Sequence, residues 1–264
     1  MKYKLFQVCF NQDQLSQVEA PFTLFDNVEN KKPELREMYI FNRIMDEGFA
    51  NDVDAWGIFS SRWNDKLRFP SSEITSAIES NPGNDVYIFN HARIQSALTY
   101  NVWEQGEFYH KGITYISKKV LDQAGYDSAV TDQVMTDVTC YCSYFVATNT
   151  FWKEYIQFLK VIKDKLDSLT GDDAELYYSN ANYARDPNLT LFPFIIERMF
   201  STFMLIKKPK YYAHPYNYEW YKPQIGDLVE QMYSLYELKK QNIESWNGAR
   251  QFYLKNYPQI LNCD

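Results

Sequence analysis

Short apolar runs alternate with amphipathic segments along most of this 264-residue chain, and this alternation limits the folds open to it. The apolar runs predict strands at residues 3–10, 22–25, 54–61 and 85–90. Helical spacing of apolar residues, or a polar cap before such a segment, predicts helices at 33–47, 71–80, 112–125, 149–168 and 189–207. Strands that alternate with helices form parallel sheets covered by helices on both faces. We therefore predict an α/β fold with a mostly parallel central sheet.

The segment at 138–148, VTCYCSYFVAT, predicts a further strand that leads directly into the long helix at 149–168. In a strand, Cys140 and Cys142 lie on the same face of the sheet, because alternate side chains point the same way. Asn149 or Thr150 is a suitable N-cap for the helix. The four cysteines show no zinc-binding spacing, which indicates reduced, structural thiols in a cytoplasmic protein. Residues 91–110 match no regular pattern.

The chain is long for one domain, but its composition changes nowhere sharply enough to mark a boundary. We predict a single α/β domain over residues 1–264, with a catalytic core to residue 208 and a C-terminal helical appendage at 209–264. The most apolar late stretch, at 191–206, is interrupted by Glu197 and Arg198 and is shorter than the ~20 residues of a membrane span. With no signal peptide at the start, we predict a cytoplasmic protein without a transmembrane segment. The aromatic tail leaves peripheral membrane contact open.

The net charge of −7 argues against nucleic acid as a partner, because proteins that bind phosphate backbones carry a basic face. The 22 tyrosines and 18 phenylalanines exceed what a core of this size needs, so some rings are expected to line a surface or a cleft. The sequence contains no P-loop, GxSxG or HExxH motif, which excludes P-loop kinases, α/β-hydrolases and zincins.

Polar and charged residues follow the predicted strands, at the edge of a parallel sheet where ligands usually bind. They are Asp26 and Asn27, then Ser61, Arg62 and Lys66, then Asn90, His91 and Arg93. Each one separately is also explained by the polar loops that normally follow strands. Together, the basic residues on the rim of an acidic protein fit the diphosphate of a nucleotide or a sugar nucleotide. We predict that the donor is bound by Asp26, Asn27, Arg62, Lys66, Asn90 and His91.

A divalent metal in such a site is usually held by an Asp-x-Asp motif at the end of a strand. Asp52 and Asp54 form the sequence DVD, but they precede their strand and so lie at the wrong edge of the sheet. We predict a polar turn there. Where a metal motif is expected, the chain has Asn90 and His91, which make a poor magnesium site. No metal ligand is assigned, and dependence on Mn²⁺ or Mg²⁺ stays open.

The segment NVWEQGEFYHKG at 101–112 groups acidic, basic and aromatic side chains. Glu104, Glu107 and His110 share one face if the segment is helical, whereas its two glycines favour a loop around a ligand. These three residues are candidates for acid–base catalysis. The acceptor is predicted to stack on the rings of Trp103, Phe108 and Tyr109. The alternative is a buried Trp103 with solvated glutamates.

Glu197 and Arg198 lie inside an otherwise apolar helix. A buried carboxylate needs a partner, so Glu197 is either one half of a structural ion pair or a base with a raised pKa beside a cleft. We include it among the catalytic candidates.

Six stretches together resemble one known family. In order they are FDNVENKKPELRE, WGIFSSRWNDK, DVYIFNHARI, NVWEQGEFYHKG, CSYFVATNTFW and FIIERMFS, within residues 20–205. They resemble bacterial proteins found among surface-polysaccharide genes for capsule and O-antigen, which look like glycosyltransferases with a GT-A-like fold. The resemblance implies transfer of a sugar from a nucleotide-activated donor to a glycan or lipid-linked acceptor. It implies no catalytic assignment.

Two alternatives remain open. A non-catalytic glycan-binding or assembly protein would use its surplus tyrosines to stack on carbohydrate and would bind no nucleotide. A different group-transfer enzyme would use another nucleotide-activated donor.

Overall fold

A computed structural model describes residues 1–90, 93–181, 189–215 and 218–262. The protein has an α/β fold built on one six-stranded mixed sheet. Its strands are β1 (Tyr3–Cys9), β2 (Phe22–Asp26), β3 (Ala55–Ser60), β4 (Val86–Ile88), β5 (Phe145–Thr148) and β6 (Tyr211–Ala213). The strand predictions near 3–10, 22–25, 54–61 and 85–90 are confirmed.

The helices occupy the intervals between the strands and the whole C-terminal region. They are α1 (Gln12–Leu15), α2 (Arg36–Asp46), α3 (Trp63–Leu67), α4 (Ser71–Ser80), α5 (Arg93–Leu98), α6 (Val102–Tyr109), α7 (Ile113–Gln123), α8 (Asn149–Asp167), α9 (Asp172–Tyr178), α10 (Phe192–Lys207), α11 (Lys222–Ile225), α12 (Leu228–Gln241) and α13 (Ile243–Asn256). Short 3₁₀ turns occur at Pro33–Leu35, Ser128–Asp132, Tyr218–Tyr221 and Pro258–Asn262.

The sheet order is β2-β1-β3-β5-β4-β6. Three pairings are parallel, but β5 runs antiparallel to both of its neighbours, β3 and β4. The prediction of a mostly parallel sheet was therefore wrong in this respect. The carboxyl ends of the other five strands meet the amino end of β5 at one edge. We call this the carboxyl edge; it comprises residues 9–10, 26–27, 60–61, 89–90, 144–145 and 213–214.

Helices cover both faces of the sheet, as predicted. One face contributes Phe6, Val8 and Ile58 to the main core with α2, α7, α8 and α10, whereas Leu5 and Phe59 pack against α3 and α4. The alternation along β1 and β3 thus divides the side chains between two cores. No helix within the described ranges is both long and apolar enough to cross a bilayer.

Residues 138–144 are not a strand, so the prediction for that half of 138–148 was wrong. Cys142 and Ser143 have left-handed backbones, with φ of 59° and 55°, and form a turn that ends just before β5. Cys140 and Cys142 therefore do not share a strand face. The three described cysteines, Cys9, Cys140 and Cys142, are free thiols.

Two helices, α5 and α6, occupy the segment that sequence patterns left unassigned. Asn101 begins α6, because its Oδ1 accepts the backbone N–H groups of Trp103 and Glu104, each at 2.9 Å. The segment 101–112 is thus mainly helical, which settles the alternative left open between a helix and a loop.

The N-cap of α8 is Thr148, the last residue of β5, and neither Asn149 nor Thr150. Its Oγ1 accepts the backbone N–H of Phe151 at 3.3 Å. We expect Thr148→Ala to lower the free energy of unfolding by about 1 kcal/mol, the usual loss for an N-cap. Thr150→Ala, at an exposed site two residues later, is the matched control for chemical denaturation. Equal effects of the two substitutions would contradict the cap assignment.

The region after residue 208 contributes to the sheet as well as to the helical tail. β6 pairs with β4 and forms one edge of the sheet. The tail is helical near 225–256, as predicted, and α12 and α13 share a separate apolar cluster with α5 through Ile94, Leu98, Met232 and Trp246.

Candidate functional site

A cavity of about 160 Å³ opens at the carboxyl edge, between the ends of β1 and β3 and the first turn of α2. Its walls combine apolar side chains with a few polar groups, the usual composition of a small-molecule site. The apolar wall is formed by Val8, Phe10, Ile40 and Ile58, and the polar groups are those of Asn30, Arg36, Glu37, Ser60 and Cys142.

Backbone strain is concentrated at this cavity. Of six non-glycine residues with positive φ in the described ranges, three line it: Asn30 (37°), Arg36 (49°) and Cys142 (59°). A fourth, Ser143, directly follows Cys142. A left-handed backbone costs most non-glycine residues about 1–3 kcal/mol, though less for asparagine, and such residues cluster at functional sites. This strain is the strongest indication that the cavity is a functional site.

Lys66, Cys142 and Glu197 form one connected group beside the cavity. The ammonium of Lys66 donates to the Cys142 sulfur at 2.7 Å, and the Cys142 backbone N–H donates to Glu197 Oε1 at 2.7 Å. Glu197 therefore holds the strained turn from α10, while Lys66 contacts it from α3. About a quarter of the Glu197 side chain remains exposed, at 25%.

Burial sets the protonation of this group. Burial and the negative charge of Glu197 raise the pKa of the Cys142 thiol to about 12, so the thiol is neutral at pH 7. Burial alone favours an uncharged Lys66, but it is opposed by Cys142 and Tyr144, whose charges act only at high pH, and by the hydrogen bond to Cys142 and the charge of Glu197, which also act at pH 7; the pKa of Lys66 is raised. Lys66 is therefore a cation at neutral pH.

Glu37 and Tyr144 complete the site. Burial raises the pKa of the Glu37 carboxyl, and the nearby charge of Glu197 raises it further, against the opposing effects of a backbone hydrogen bond, Arg36 and Lys66. The Tyr144 hydroxyl lies 2.6 Å from Ser60 Oγ and ties the start of β5 to the end of β3. The site thus places carboxylates, a cation and hydroxyls at one edge of the sheet.

Glu197 is one of several partners of Arg198, so the ion-pair element of the alternative left open by the sequence is present in part. Their charged groups are 3.5 Å apart. The Arg198 guanidinium instead donates to the backbone carbonyls of Val102 and Phe194, each at 2.9 Å, and to Gln105 Oε1 at 2.5 Å. Arg198 fastens α10 to α6, and Glu197 faces the turn at Cys142.

A second, more polar cavity of about 560 Å³ adjoins the first at the end of β2, and Asn30 lines both. Asp26 and Asn27, both predicted as donor-binding residues, lie in its wall. Asn27 Oδ1 accepts from Arg43 at 3.3 Å, and its amide donates to Asn30 Oδ1 at 3.3 Å. Tyr39 supplies a ring to the same wall.

The other predicted donor-binding residues lie at different distances from the two cavities. Lys66 reaches the cavity through Cys142, whereas Arg62 is exposed and pairs with Asp65 at 3.2 Å. Asn90 is buried just beyond β4. His91 and the side chain of Arg93 lie outside the described residues.

In α6, the predicted catalytic groups have structural partners. Glu104 pairs with Arg250 of α13 at 2.8 Å and accepts the Tyr100 N–H. Glu107 accepts the N–H groups of Gly112 and Thr114, at 2.7 and 3.2 Å, and so caps α7. These contacts favour a structural role for both carboxylates.

His110 and the aromatic residues of α6 also have mainly structural contacts. His110 is buried against Phe194 and its Nδ1 contacts Ala181 O at 2.6 Å; burial lowers the pKa of its imidazole. Trp103 is wholly buried with its indole N–H on Thr202, so no face is free for a sugar in this conformation. The Tyr109 hydroxyl donates to Leu261 O. Of the three predicted stacking rings, Phe108 alone is exposed, at 45%.

Asp52 and Asp54 lie before β3, at the opposite edge of the sheet, as the sequence predicts. Asp52 pairs with Lys4 at 2.5 Å, and Asp54 accepts the Lys2 N–H at 2.8 Å. Within the described ranges, no three His, Cys, Asp or Glu side chains are grouped closely enough to hold a metal ion.

No protein-family model, curated protein or solved structure matches this chain.

Sequence reasoning missed Glu37, Ser60 and Cys142. Glu37 belongs to the first turn of a helix, where an acidic residue is ordinary, and Cys142 was placed in a strand. The one available signal was Ser60, because it directly precedes the polar residues that follow β3.

Proposed function

We propose that the chain is a cytoplasmic, nucleotide-sugar-dependent glycosyltransferase of GT-A-like type. Its acceptor is a glycan or lipid-linked saccharide of bacterial surface polysaccharide synthesis. The observation that carries the proposal is the pair of adjoining cavities at the carboxyl edge, with backbone strain concentrated at the smaller one. In open α/β sheets, ligands bind beyond the carboxyl ends of the strands.

The two cavities suit different parts of one donor. The larger cavity offers the carboxylate of Asp26, the ring of Tyr39 and the amide of Asn30, which suit the hydroxyls and base of a nucleoside. Arg36 in the smaller cavity and Lys66 beside it supply positive charge for the diphosphate. The transferred sugar and the acceptor hydroxyl then meet in the smaller cavity, near the carboxylates of Glu37 and Glu197.

The reaction needs one proton acceptor. The acceptor oxygen forms a bond to the anomeric carbon, the bond from that carbon to the diphosphate breaks, and the nucleotide leaves with the electron pair. A cleft carboxylate takes the hydroxyl proton. Glu104 and Glu107 do not suit this step, because their oxygens hold Arg250 and the start of α7.

Donor binding is the first test. We expect one of the UDP-, GDP-, CMP- or dTDP-sugars to raise the thermal midpoint, because a ligand at about 100 times its Kd stabilises by roughly 2.7 kcal/mol. Running the screen with and without Mn²⁺ or Mg²⁺ shows whether a metal takes part. A shift with surface oligosaccharides and none with nucleotides would favour the glycan-binding alternative. A shift with nucleotides but no sugar transfer would favour another nucleotide-donor transferase.

A matched pair of variants locates the donor. Asp26 and Asp127 are both exposed, and each accepts the backbone N–H two residues ahead at 2.9 Å. Asp26→Asn keeps that contact but removes the charge from the larger cavity, whereas Asp127→Asn makes the same change outside both cavities. We expect Asp26→Asn to weaken donor binding tenfold or more, since hydrogen bonds to charged groups contribute about 1.5–3 kcal/mol. Equal donor affinities of Asp26→Asn and Asp127→Asn in calorimetry would show that the nucleoside does not bind in the larger cavity.

A further inference from the structure

Glu37 supplies a carboxylate to the wall of the smaller cavity. It lines the cavity from the first turn of α2, directly after the strained Arg36. Its carboxylate accepts a hydrogen bond from its own backbone N–H in the first turn of α2, and within the described residues it makes no ion pair and no hydrogen bond to another side chain. One backbone donor leaves most acceptor positions of a carboxylate open to a ligand in the cavity.

The charges around Glu37 suit proton transfer. Burial and Glu197 oppose its anion, whereas its backbone hydrogen bond, Arg36 and Lys66 stabilise it, and the net effect raises the pKa of Glu37. A carboxylate whose pKa is raised is a stronger base than an exposed one once it is ionised.

We propose that Glu37 is the general base of the transfer. This inference rests on the proposed function. Its carboxylate takes the proton of the acceptor hydroxyl as that oxygen bonds to the anomeric carbon, and the nucleoside diphosphate leaves with the electrons of the broken bond. The protonated Glu37 then returns its proton to water when the product departs.

Glu197 has a different role in this arrangement. Its Oε1 accepts the Cys142 backbone N–H at 2.7 Å, and its charge helps to keep Lys66 protonated. It is a positioning residue. It holds the turn at Cys142 and keeps Lys66 charged, and Lys66 in turn binds the leaving diphosphate. Glu37, by contrast, accepts a hydrogen bond from its own backbone N–H within α2 and holds no other element of the fold.

The competing explanation is that Glu37 only stabilises α2. An acidic residue in the first turn interacts favourably with the helix dipole, by about 0.3–1 kcal/mol. A residue with that role alone affects stability and leaves the pH dependence of turnover unchanged.

The test compares Glu37→Gln with Glu34→Gln, an exposed residue three positions earlier that lies outside the cavity. Turnover is followed as release of the nucleotide from the donor found in the thermal screen, with surface oligosaccharides as the acceptor. We expect Glu37→Gln to lower kcat by about 10²–10⁴-fold, the usual contribution of a general base, with donor affinity unchanged. Glu34→Gln should match the wild type.

The pH profile separates catalysis from folding. In the wild type, kcat/KM should rise with pH through the pKa of Glu37, because only the anion accepts a proton. This rise, the acidic limb of the pH profile, should disappear in Glu37→Gln. Should that variant not fold, Glu37→Asp keeps the carboxylate. It should have reduced activity and should still show the acidic limb of the pH profile. Wild-type turnover that persists in Glu37→Gln, or an unchanged limb, would overturn the role of Glu37 alone. No wild-type turnover with any donor would overturn both this role and the proposed function.

Discussion

Gly106→Ala is expected to lower the free energy of unfolding by about 1–3 kcal/mol, the usual cost of overpacking a dense interior. A Cβ at residue 106 would lie 2.6 Å from Arg198 Nε and 3.2 Å from its Cδ and Cζ. Arg198 cannot move aside cheaply, because it is buried and hydrogen-bonded to Val102, Phe194 and Gln105. Alanine is the better helix former by up to about 1 kcal/mol, but this gain is smaller than the clash.

Gly248→Ala is the matched control for this substitution. Gly248 also lies within a helix, α13, but an added Cβ there meets no atom within 4 Å. We expect a gain of up to about 1 kcal/mol from helix propensity. Urea unfolding of both variants gives the comparison. A stabilising Gly106→Ala would show that Arg198 yields easily and does not hold α6 against α10.

Periodicity predicts the long helices correctly because their buried residues recur on one face. α8 is the clearest case, with Phe151, Tyr155, Phe158 and Ile162 on its buried side. The short helices α5 and α6 escape prediction despite the Asn101 cap, since α6 buries a glutamine and a glycine as well as apolar residues and so shows no clear apolar face. Such a helix is stabilised by tertiary contacts more than by its own pattern.

The direction of β5 could not be read from the sequence. Its first three residues are apolar and buried, so they pack equally well in a parallel or an antiparallel pairing. The left-handed turn at Cys142 and Ser143 was equally hidden, because neither residue type is characteristic of positive φ. The neighbouring contacts of Lys66 and Glu197 maintain this turn, and they join residues far apart in sequence.

The site was only partly predictable for a related reason. Residues directly after a strand share an edge of the sheet, which correctly brings Asp26 and Asn27 to one cavity wall and Lys66 close to the other. Glu104 and Glu107 look chemically suitable in the sequence, but their spacing does not reveal Arg250 or the N-terminus of α7 as partners. Local patterns locate candidates, whereas tertiary partners decide which side chains remain available to a ligand.

Lys239 is expected to make the protein more stable as pH rises above 7. Its ammonium is buried on α12 and donates to the carbonyls of Ser96, Thr99 and Met135 at 2.9, 2.6 and 2.6 Å. Burial lowers the pKa of Lys239 to about 7, with Arg250 adding to the effect and Glu104 opposing it. The carbonyls hold the proton in place, but they offset only part of the cost of burying the charge.

The sign follows from proton counting. The unfolded chain keeps Lys239 protonated up to about pH 10.4, whereas the folded chain releases the proton above about 7. The unfolded state therefore binds more protons in this interval, so the free energy of unfolding rises with pH, by up to about 4 kcal/mol. Lys239→Met lacks the titrating group and should lose this rise, while all other groups titrate alike in both proteins. Chemical denaturation between pH 6 and pH 10 measures the difference between the two curves. Parallel curves would mean that the three carbonyls keep the buried ammonium charged throughout, and that α12 is held to α5 by a permanent cation.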